Sequence, residues 1–457
     1  MMDDTIAGVS TAVGNAGISI IRMSGPDAFI IAEKVFKGKI PIKNQLSHTI
    51  QYGRIVSIEG VIDEVLLSKM AEPRTYTCED IIEINCHGGY VVTSRILSLL
   101  ISFGARPAEP GEFTKRAFIN GRIDLSQAEA VMDVIQARSA KGSQIALKQL
   151  EGRLSEKVTK ITSMLIDTLA KLEVNLDYPE YDVEELSRED VKKATGPAIE
   201  ELSQLIKSFH YGKILREGMD VVIMGKPNVG KSSLMNRLSR KNRSIVTEIP
   251  GTTRDAIEEY INLSGIPIKL TDTAGVRETS DLVESIGVER SVEALKKSDI
   301  AILLFDASDY PKTEDKHLYD LVSNHQDQFI VVFNKCDLVQ DPIVMATLEV
   351  QYPDSLFVSV VKDEGIGLLE SKLIEFATLN ALDIDNQVLV TNARHEHQLR
   401  LSLDALHFAV KAVDSCMTLD VIALELKTAL EELGRITGQL VSKDIIDAIF
   451  SRFCLGK

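Results

Sequence analysis

At 457 residues the chain exceeds what a single hydrophobic core holds, so several domains are expected. Its 44% hydrophobic and 26% charged content is that of a soluble globular protein, and no apolar run approaches the roughly 18–20 residues that would span a bilayer. With 51 basic against 67 acidic residues the formal charge is −16, which excludes nucleic-acid binding through the mean field. An RNA partner would need a local basic patch or a second protein.

The first residues, MMDDTIAG, lack the basic and apolar regions of a signal peptide. The cysteines (Cys78, Cys86, Cys336, Cys416 and Cys454) are scattered and form no CxxC pair, which suits reduced thiols in a cytoplasmic protein. Over 1–118, AGISIIRMSG, TIQYGRIVS and DIIEINCHGG read as strands and YVVTSRILSLLISFG as a helix closed by Gly104, an α+β domain. Over 119–215 the texture is helical. Leu147, Leu150, Leu154, Val158, Ile161, Leu165, Leu169, Leu172 and Leu176 step by 3 or 4, predicting one long, nearly straight amphipathic helix that DYPE breaks. Ser187 with Asp190 reads as a capping box for the next helix.

Over 216–382 the apolar runs MDVVIMG, IPIKLTD, IAILLFD, FIVVFNK and LFVSV alternate with helical stretches, which predicts a doubly wound, mostly parallel sheet. Helices resume over 383–457. The expected class is therefore multidomain, with an α+β N-terminal domain and an α/β P-loop domain inserted into an α-helical one. Ser442 should cap a last helix, SKDIIDAIFSRF, whose Ile446, Ile449, Phe450 and Phe453 form an apolar stripe that Cys454 continues.

Residues 225–232, GKPNVGKS, fit GxxxxGK[ST] between a strand and a helix. Backbone N–H groups can cradle phosphates there, Lys231 adds charge, and Ser232 offers a magnesium ligand. Asp272, Thr273, Ala274 and Gly275 end a second strand, placing a carboxylate near magnesium and a glycine N–H near the terminal phosphate. Asn334, Lys335, Cys336 and Asp337 end a third. The Asp337 carboxylate can accept two parallel N–H bonds from guanine and none such from adenine, so GTP is the expected nucleotide. Ser359-Val-Val follows the strand LFV, where a backbone N–H could meet the guanine oxygen. Asn228, Val229, Gly230 and Ser233 complete the phosphate loop. Thr247, Glu248, Ile249, Pro250, Gly251, Thr252 and Thr253 form a switch loop, in which one threonine should ligate magnesium only while the terminal phosphate is present. Val276 stands where Ras-like GTPases carry a water-orienting glutamine, leaving Glu278, Asp281 and Glu284 as candidates for that task.

Three further clusters invite weaker readings. His395 and His397, two apart on a helix, point in different directions and read as surface histidines. Cys86-His87 alternates faces on a strand, and SRKNR at 239–243 reads as a solvated basic loop.

Together GKPNVGKSS, IPGTTRD, DTAG, NKCD and the terminal FCLGK, with IIRMSGP, EDIIEINCHGG and ARPAEPGEFTKRAFINGRIDLSQAEA, resemble the MnmE (TrmE) family of tRNA modification GTPases along the whole chain. The resemblance implies a homodimer joined through the N-terminal domain, which binds a tetrahydrofolate derivative (5-formyl- or methylene-tetrahydrofolate) as one-carbon donor. It also implies a heterotetramer with an FAD-containing MnmG (GidA) partner. That complex adds an aminomethyl or carboxymethylaminomethyl group to C5 of the wobble uridine of certain tRNAs. By the same likeness folate contacts fall on Arg22, Glu83, Arg122 and Lys457. Magnesium falls to Ser232 and Thr253, and potassium to Asn228, Thr247, Ile249 and Thr252, the ion about which two G domains would meet. Glu284 matches the family's water-orienting glutamate, and Cys454 is either a nucleophile or an anchor. STAVGNAGIS departs from the family's proline-rich, glycine-rich form, Cys78 stands where glycine is usual, and Arg122 replaces a frequent lysine. A regulatory or RNA-assembly GTPase, with the N-terminal fold as a mere binding module, is the competing expectation.

Overall fold

The computed structural model describes residues 3–12, 14–177, 188–242, 258–272, 292–309, 313–378, 388–453 and 456. It divides into two compact units, one made of 1–132, 150–159 and 430–457, the other of 133–149 and 160–429.

The first unit holds a seven-stranded sheet in the order β3-β4-β5-β6-β2-β1-β7. Its strands are β1 (Ile6–Val9), β2 (Ser19–Ser24), β3 (Phe36–Gly38), β4 (Thr49–Ser57), β5 (Gly60–Met70), β6 (Ile81–Cys86) and β7 (Arg106–Pro107). Alternation in SIIRMS and IIEINC turns Ile21, Met23, Ile82, Ile84 and Cys86 inward. There they meet Ile31 and Val35 of α1 (Ala28–Val35) and Ile96 and Leu100 of α2 (Tyr90–Ser102). On the two neighbouring strands the opposite phase leaves Ile50, Tyr52 and Leu66 exposed, with Tyr52 directly across from Leu66. One rung of this sheet runs Gly8, Arg22, Glu83, Ser68 across four strands.

Beneath the sheet edge α3 (Glu112–Ile119) sends Arg116, 1% exposed, into a group of carboxylates. Its Nη1 donates to the Asp4 carbonyl (2.9 Å) and to both Glu79 oxygens (3.2 Å). Its Nη2 donates to Asp4 Oδ1 (2.7 Å) and Glu112 Oε1 (3.2 Å). Arg106 pairs with Asp4 and Glu112 as well, and Ser24 Oγ donates to Glu79 Oε2 at 2.7 Å. The other side of α3 meets α15 (Lys443–Phe450), where Lys115 and Asp447 pair at 2.6 Å and Phe118 joins Phe450, Phe453 and Leu125. Ser442 occupies the N-cap position but makes no side-chain cap bond, and α15 ends at Phe450, short of the expected Phe453.

The second unit holds a six-stranded sheet in the order β13-β12-β11-β8-β10-β9. All neighbours are parallel except β9 (Glu258–Leu263) and β10 (Ile266–Asp272), which form a hairpin. β8 (Met219–Met224), β11 (Ile300–Asp306) and β12 (Phe329–Asn334) are the predicted apolar runs, buried on both faces; β13 (Leu356–Phe357) is only two residues long. α9 (Lys231–Asn242) follows β8, so the phosphate loop opens at the carboxyl ends of the central strands.

Two expectations are corrected. The predicted single long helix is two, α5 (Ala140–Leu150) and α6 (Arg153–Asp177), because Gly152 adopts φ +92°, which no continuous α-helix allows. His395 is no surface residue: on α13 (Ala393–Asp414) it is 0% exposed, its Nε2 2.9 Å from Arg394 Nη2, while His397 is exposed. The proposed Ser187 capping box lies outside the described residues; α7 begins at Arg188.

Candidate functional site

In the second unit, residues 225–230 join β8 to α9. Asn228 takes φ +65° and Gly230 φ +103°, turning successive backbone N–H groups as a phosphate loop requires; a Cβ on Gly230 would collide with Asn334 Nδ2. Lys231 is buried, and its Nζ donates to the carbonyls of Gly225 (2.6 Å) and Lys226 (2.8 Å), which fixes a cation over the loop at the helix N-terminus. Ser232 and Ser233 are exposed in the first turn, and Val229 is buried.

The base loop is fastened to this phosphate loop. Asn334, at the end of β12, donates from Nδ2 to Val229 O (2.8 Å) and accepts at Oδ1 from Val360 N–H (3.3 Å). Lys335, at φ +61°, donates to Asn228 O (2.9 Å) and to Asp306 Oδ2 (2.6 Å). Burial works against the Asp306 charge, but the bonds from Lys335 and Ser308 outweigh it and hold the carboxyl below the ordinary range. Asp337 lies half-exposed in a 3-10 turn over Cys336–Leu338; burial, then the charges of Asp337 and Glu364, push the Cys336 thiol up. Ser359 is buried and its N–H donates to Glu364 O, so that N–H is engaged within its own loop. Asp272 ends β10, level with Ile223 of β8. Thr247, Glu248, Ile249, Pro250, Gly251, Thr252, Thr253, Thr273, Ala274, Gly275, Val276, Glu278, Asp281, Glu284, Cys454 and Lys457 lie outside the described residues.

In the first unit, Arg22 on β2 grips Glu83 on β6, Nε and Nη2 both 2.8 Å from Oε1. Its guanidinium lies 5.6 Å from the Tyr76 ring centroid and 5.5 Å from that of Phe113. Arg122 reaches the same Tyr76 ring at 4.9 Å and donates to the Tyr76 carbonyl at 2.9 Å. Two of the four expected folate contacts, Arg22 and Arg122, thus lie against one tyrosine, and a third, Glu83, is bonded to Arg22. Cys78, in the same loop, holds φ +59°, a backbone that glycine adopts without cost. The chain's far end arrives here too: Ser10 Oγ donates to Gly456 O at 3.0 Å, and Gly456 (φ +84°) lies against Gly8 and Val9.

A family model described as "MnmE helical domain" matches residues 125–454, and one described as "GTP-binding protein TrmE N-terminus" matches 5–122. A curated relative from Acetivibrio thermocellus, "tRNA modification GTPase MnmE", is 47% identical over 464 residues, covering 100% of this chain and 99% of its own. The chain belongs to the MnmE family. Further MnmE relatives agree, one from Alkaliphilus oremlandii at 46% over 461 residues (100% of each chain) and one from Lactobacillus johnsonii at 45% over 456 (99% and 98%). Among the described residues no helix is long and apolar enough to cross a membrane.

Sequence reasoning missed Tyr76 and the Arg116 cluster. The i,i+4 pairing of Glu112 with Arg116 in GEFTKRAF was a legible signal for the second, whereas nothing in TYTCED distinguishes a ring under two cations from a surface tyrosine.

Proposed function

We propose that this GTPase is a tRNA modification enzyme in which nucleotide hydrolysis drives a conformational cycle. Working with an FAD-dependent MnmG (GidA) partner, it adds an aminomethyl or carboxymethylaminomethyl group at C5 of the wobble uridine of certain tRNAs, with a tetrahydrofolate derivative supplying the one-carbon unit. The observation that carries the nucleotide half is the double fastening of base loop to phosphate loop by Asn334 and Lys335. Lys231 would neutralise phosphate charge, Ser232 and Thr253 would hold magnesium, and Asp337 would read guanine. Asn228, Thr247, Ile249 and Thr252 would hold potassium, which supplies positive charge where an arginine finger acts in other GTPases. Glu284 would orient water.

The folate half rests on the proximity of Arg22, Glu83 and Arg122: a carboxylate suited to pterin N–H groups, with one cation bonded to it and a second sharing the same tyrosine ring with the first. By the same resemblance Lys457 would be a further folate contact, and Cys454 would serve as a nucleophile or as an anchor. The exposed apolar strip of Ile50, Tyr52 and Leu66 supports a homodimer through the N-terminal domain. The division into 1–118, 119–215, 216–382 and 383–457, and a cytoplasmic location, belong to the same reading.

The test is a deletion strain and the purified protein. Its tRNA should lack the C5 group, and GTP should be hydrolysed faster in potassium than in sodium. Intact wobble modification in the deletion strain would leave only a regulatory GTPase.

A further inference from the structure

A formal charge of −16 leaves RNA to a local basic patch, and the first unit has one at the free edge of its sheet. Residues 34–54 carry Lys34, Lys37, Lys39, Lys43 and Arg54 and no acidic residue. β3 is the outermost strand, and Lys37 on it lies directly across from Arg54 on β4. Like charges opposed on neighbouring strands destabilise a sheet. Arg54 is relieved by Glu64 at 2.9 Å. Lys37, Lys39 and Lys43 are exposed, and among the described residues no side chain pairs with them.

Beside this edge a further cation is buried. Lys69 on β5 is 8% exposed and forms no ion pair among the described residues. Its Nζ donates to the carbonyls of Ile42 (2.8 Å) and Gln45 (3.0 Å) and lies 4.6 Å from the Phe29 ring centroid. These contacts stabilise the ammonium without cancelling its charge. Ile42 opens the 3-10 turn Ile42–Asn44, which carries Lys43. The preceding loop is braced from β4: Gln51 accepts from the Ile40 N–H (3.2 Å) and donates to the Ile40 carbonyl (2.9 Å), as a neighbouring strand would. Lys39 and Lys43 thus stand on a fixed loop above an unneutralised charge. Protection of the edge against strand pairing would explain Lys37, but it explains neither Lys43 nor the buried Lys69. Lysine heads are point charges that meet phosphates without reading base edges. We propose that this edge, through Lys37, Lys39 and Lys43, binds the phosphate backbone of the tRNA and positions it without sequence readout. This rests on the tRNA reading above.

The experiment is fluorescence anisotropy of an unmodified tRNA transcript titrated with the full chain from about 50 to 200 mM potassium chloride. Lys37→Gln/Lys39→Gln/Lys43→Gln should weaken binding at least roughly tenfold at the lowest salt. The slope of log affinity against log salt should flatten by about one unit per lost contact, up to about three. GTP hydrolysis and the elution volume of the protein should not change. Lys296→Gln/Lys297→Gln/Lys372→Gln alters net charge equally at exposed positions of the second unit and should weaken binding by less than about twofold. Unchanged affinity and slope in the first variant would overturn the proposal, as would equal losses in both variants. A wild type that binds no tRNA would overturn it too. The modification reading stands or falls separately, on the wobble nucleosides of the deletion strain.

Discussion

Lys335 bridges two ends of the nucleotide region, its ammonium 2.6 Å from the Asp306 carboxylate and 2.9 Å from the Asn228 carbonyl. Its head group braces the tip of the phosphate loop against the end of β11. Lys335→Met keeps the stem and removes the brace. GTP affinity should fall roughly tenfold, the equivalent of one charge-assisted hydrogen bond, as measured by titration with a fluorescent GTP analogue. The Asp306 carboxyl, losing its main stabilising partner, should titrate higher in the variant.

On the proposed base reading, Asp337→Asn replaces a carboxylate that would accept two N–H bonds from guanine with an amide that presents a donor to one of them. GTP affinity should fall roughly a hundredfold, with little change in the weak affinity for ATP. Competition titration of the two nucleotides reads both. Undiminished GTP affinity would refute the base assignment.

Removing Arg116 leaves the Glu79 and Glu112 carboxylates, 5% and 4% exposed, without their shared cation. Arg116→Leu should therefore destabilise the first unit by about 3–5 kcal/mol, seen as a lowered unfolding midpoint in urea.

The same cluster predicts acid sensitivity. At Glu112 and Asp4 burial favours the neutral acid, yet the bonds and charges of Arg106 and Arg116 prevail and hold both carboxyls below their ordinary values of 4.5 and 3.8. A depressed folded value means a contribution to stability fully present above the ordinary value and lost as pH falls through the lowered one. Unfolding temperature should thus hold steady down to about pH 5 and decline below about pH 4, and the decline should be shallower in Arg116→Leu.

Gly456 takes φ +84°, and a Cβ there would strike the Val9 carbonyl. Gly456→Ala should lift the tail from β1 and break the Ser10 bond. Wobble modification, measured by mass spectrometry of tRNA nucleosides, should drop at least roughly tenfold, with GTP affinity within about twofold of wild type.

The strand, loop and helix frame of the candidate nucleotide site was readable because its motifs sit at the ends of apolar strands, and these elements have distinct local signatures. β8 with GKPNVGKS and β12 with NKCD formed as expected. What failed were inferences that a periodic pattern continues. The leucine stripe from Leu147 to Leu176 passes through Gly152 without a change of step, yet one positive φ divides it, and both end leucines are exposed. His395 reads as polar in isolation and is buried because its neighbours at i+4 and i+7, Leu399 and Ser402, share its inward face. The Arg116 cluster joins positions as far apart as Asp4 and Glu112, and no local pattern encodes such a distance.

The docking of Gly456 on the first strand also shapes how the chain is made. Ser10 and its partner are 446 residues apart, and the first unit is completed by residues 430–457. On a ribosome that adds roughly 5–20 residues per second, Phe118, Leu125 and Met132 are synthesised tens of seconds before Phe450 and Phe453 exist to cover them. The whole nucleotide-binding sheet can form in that interval. The nascent chain therefore carries these apolar side chains without their C-terminal cover during most of its synthesis.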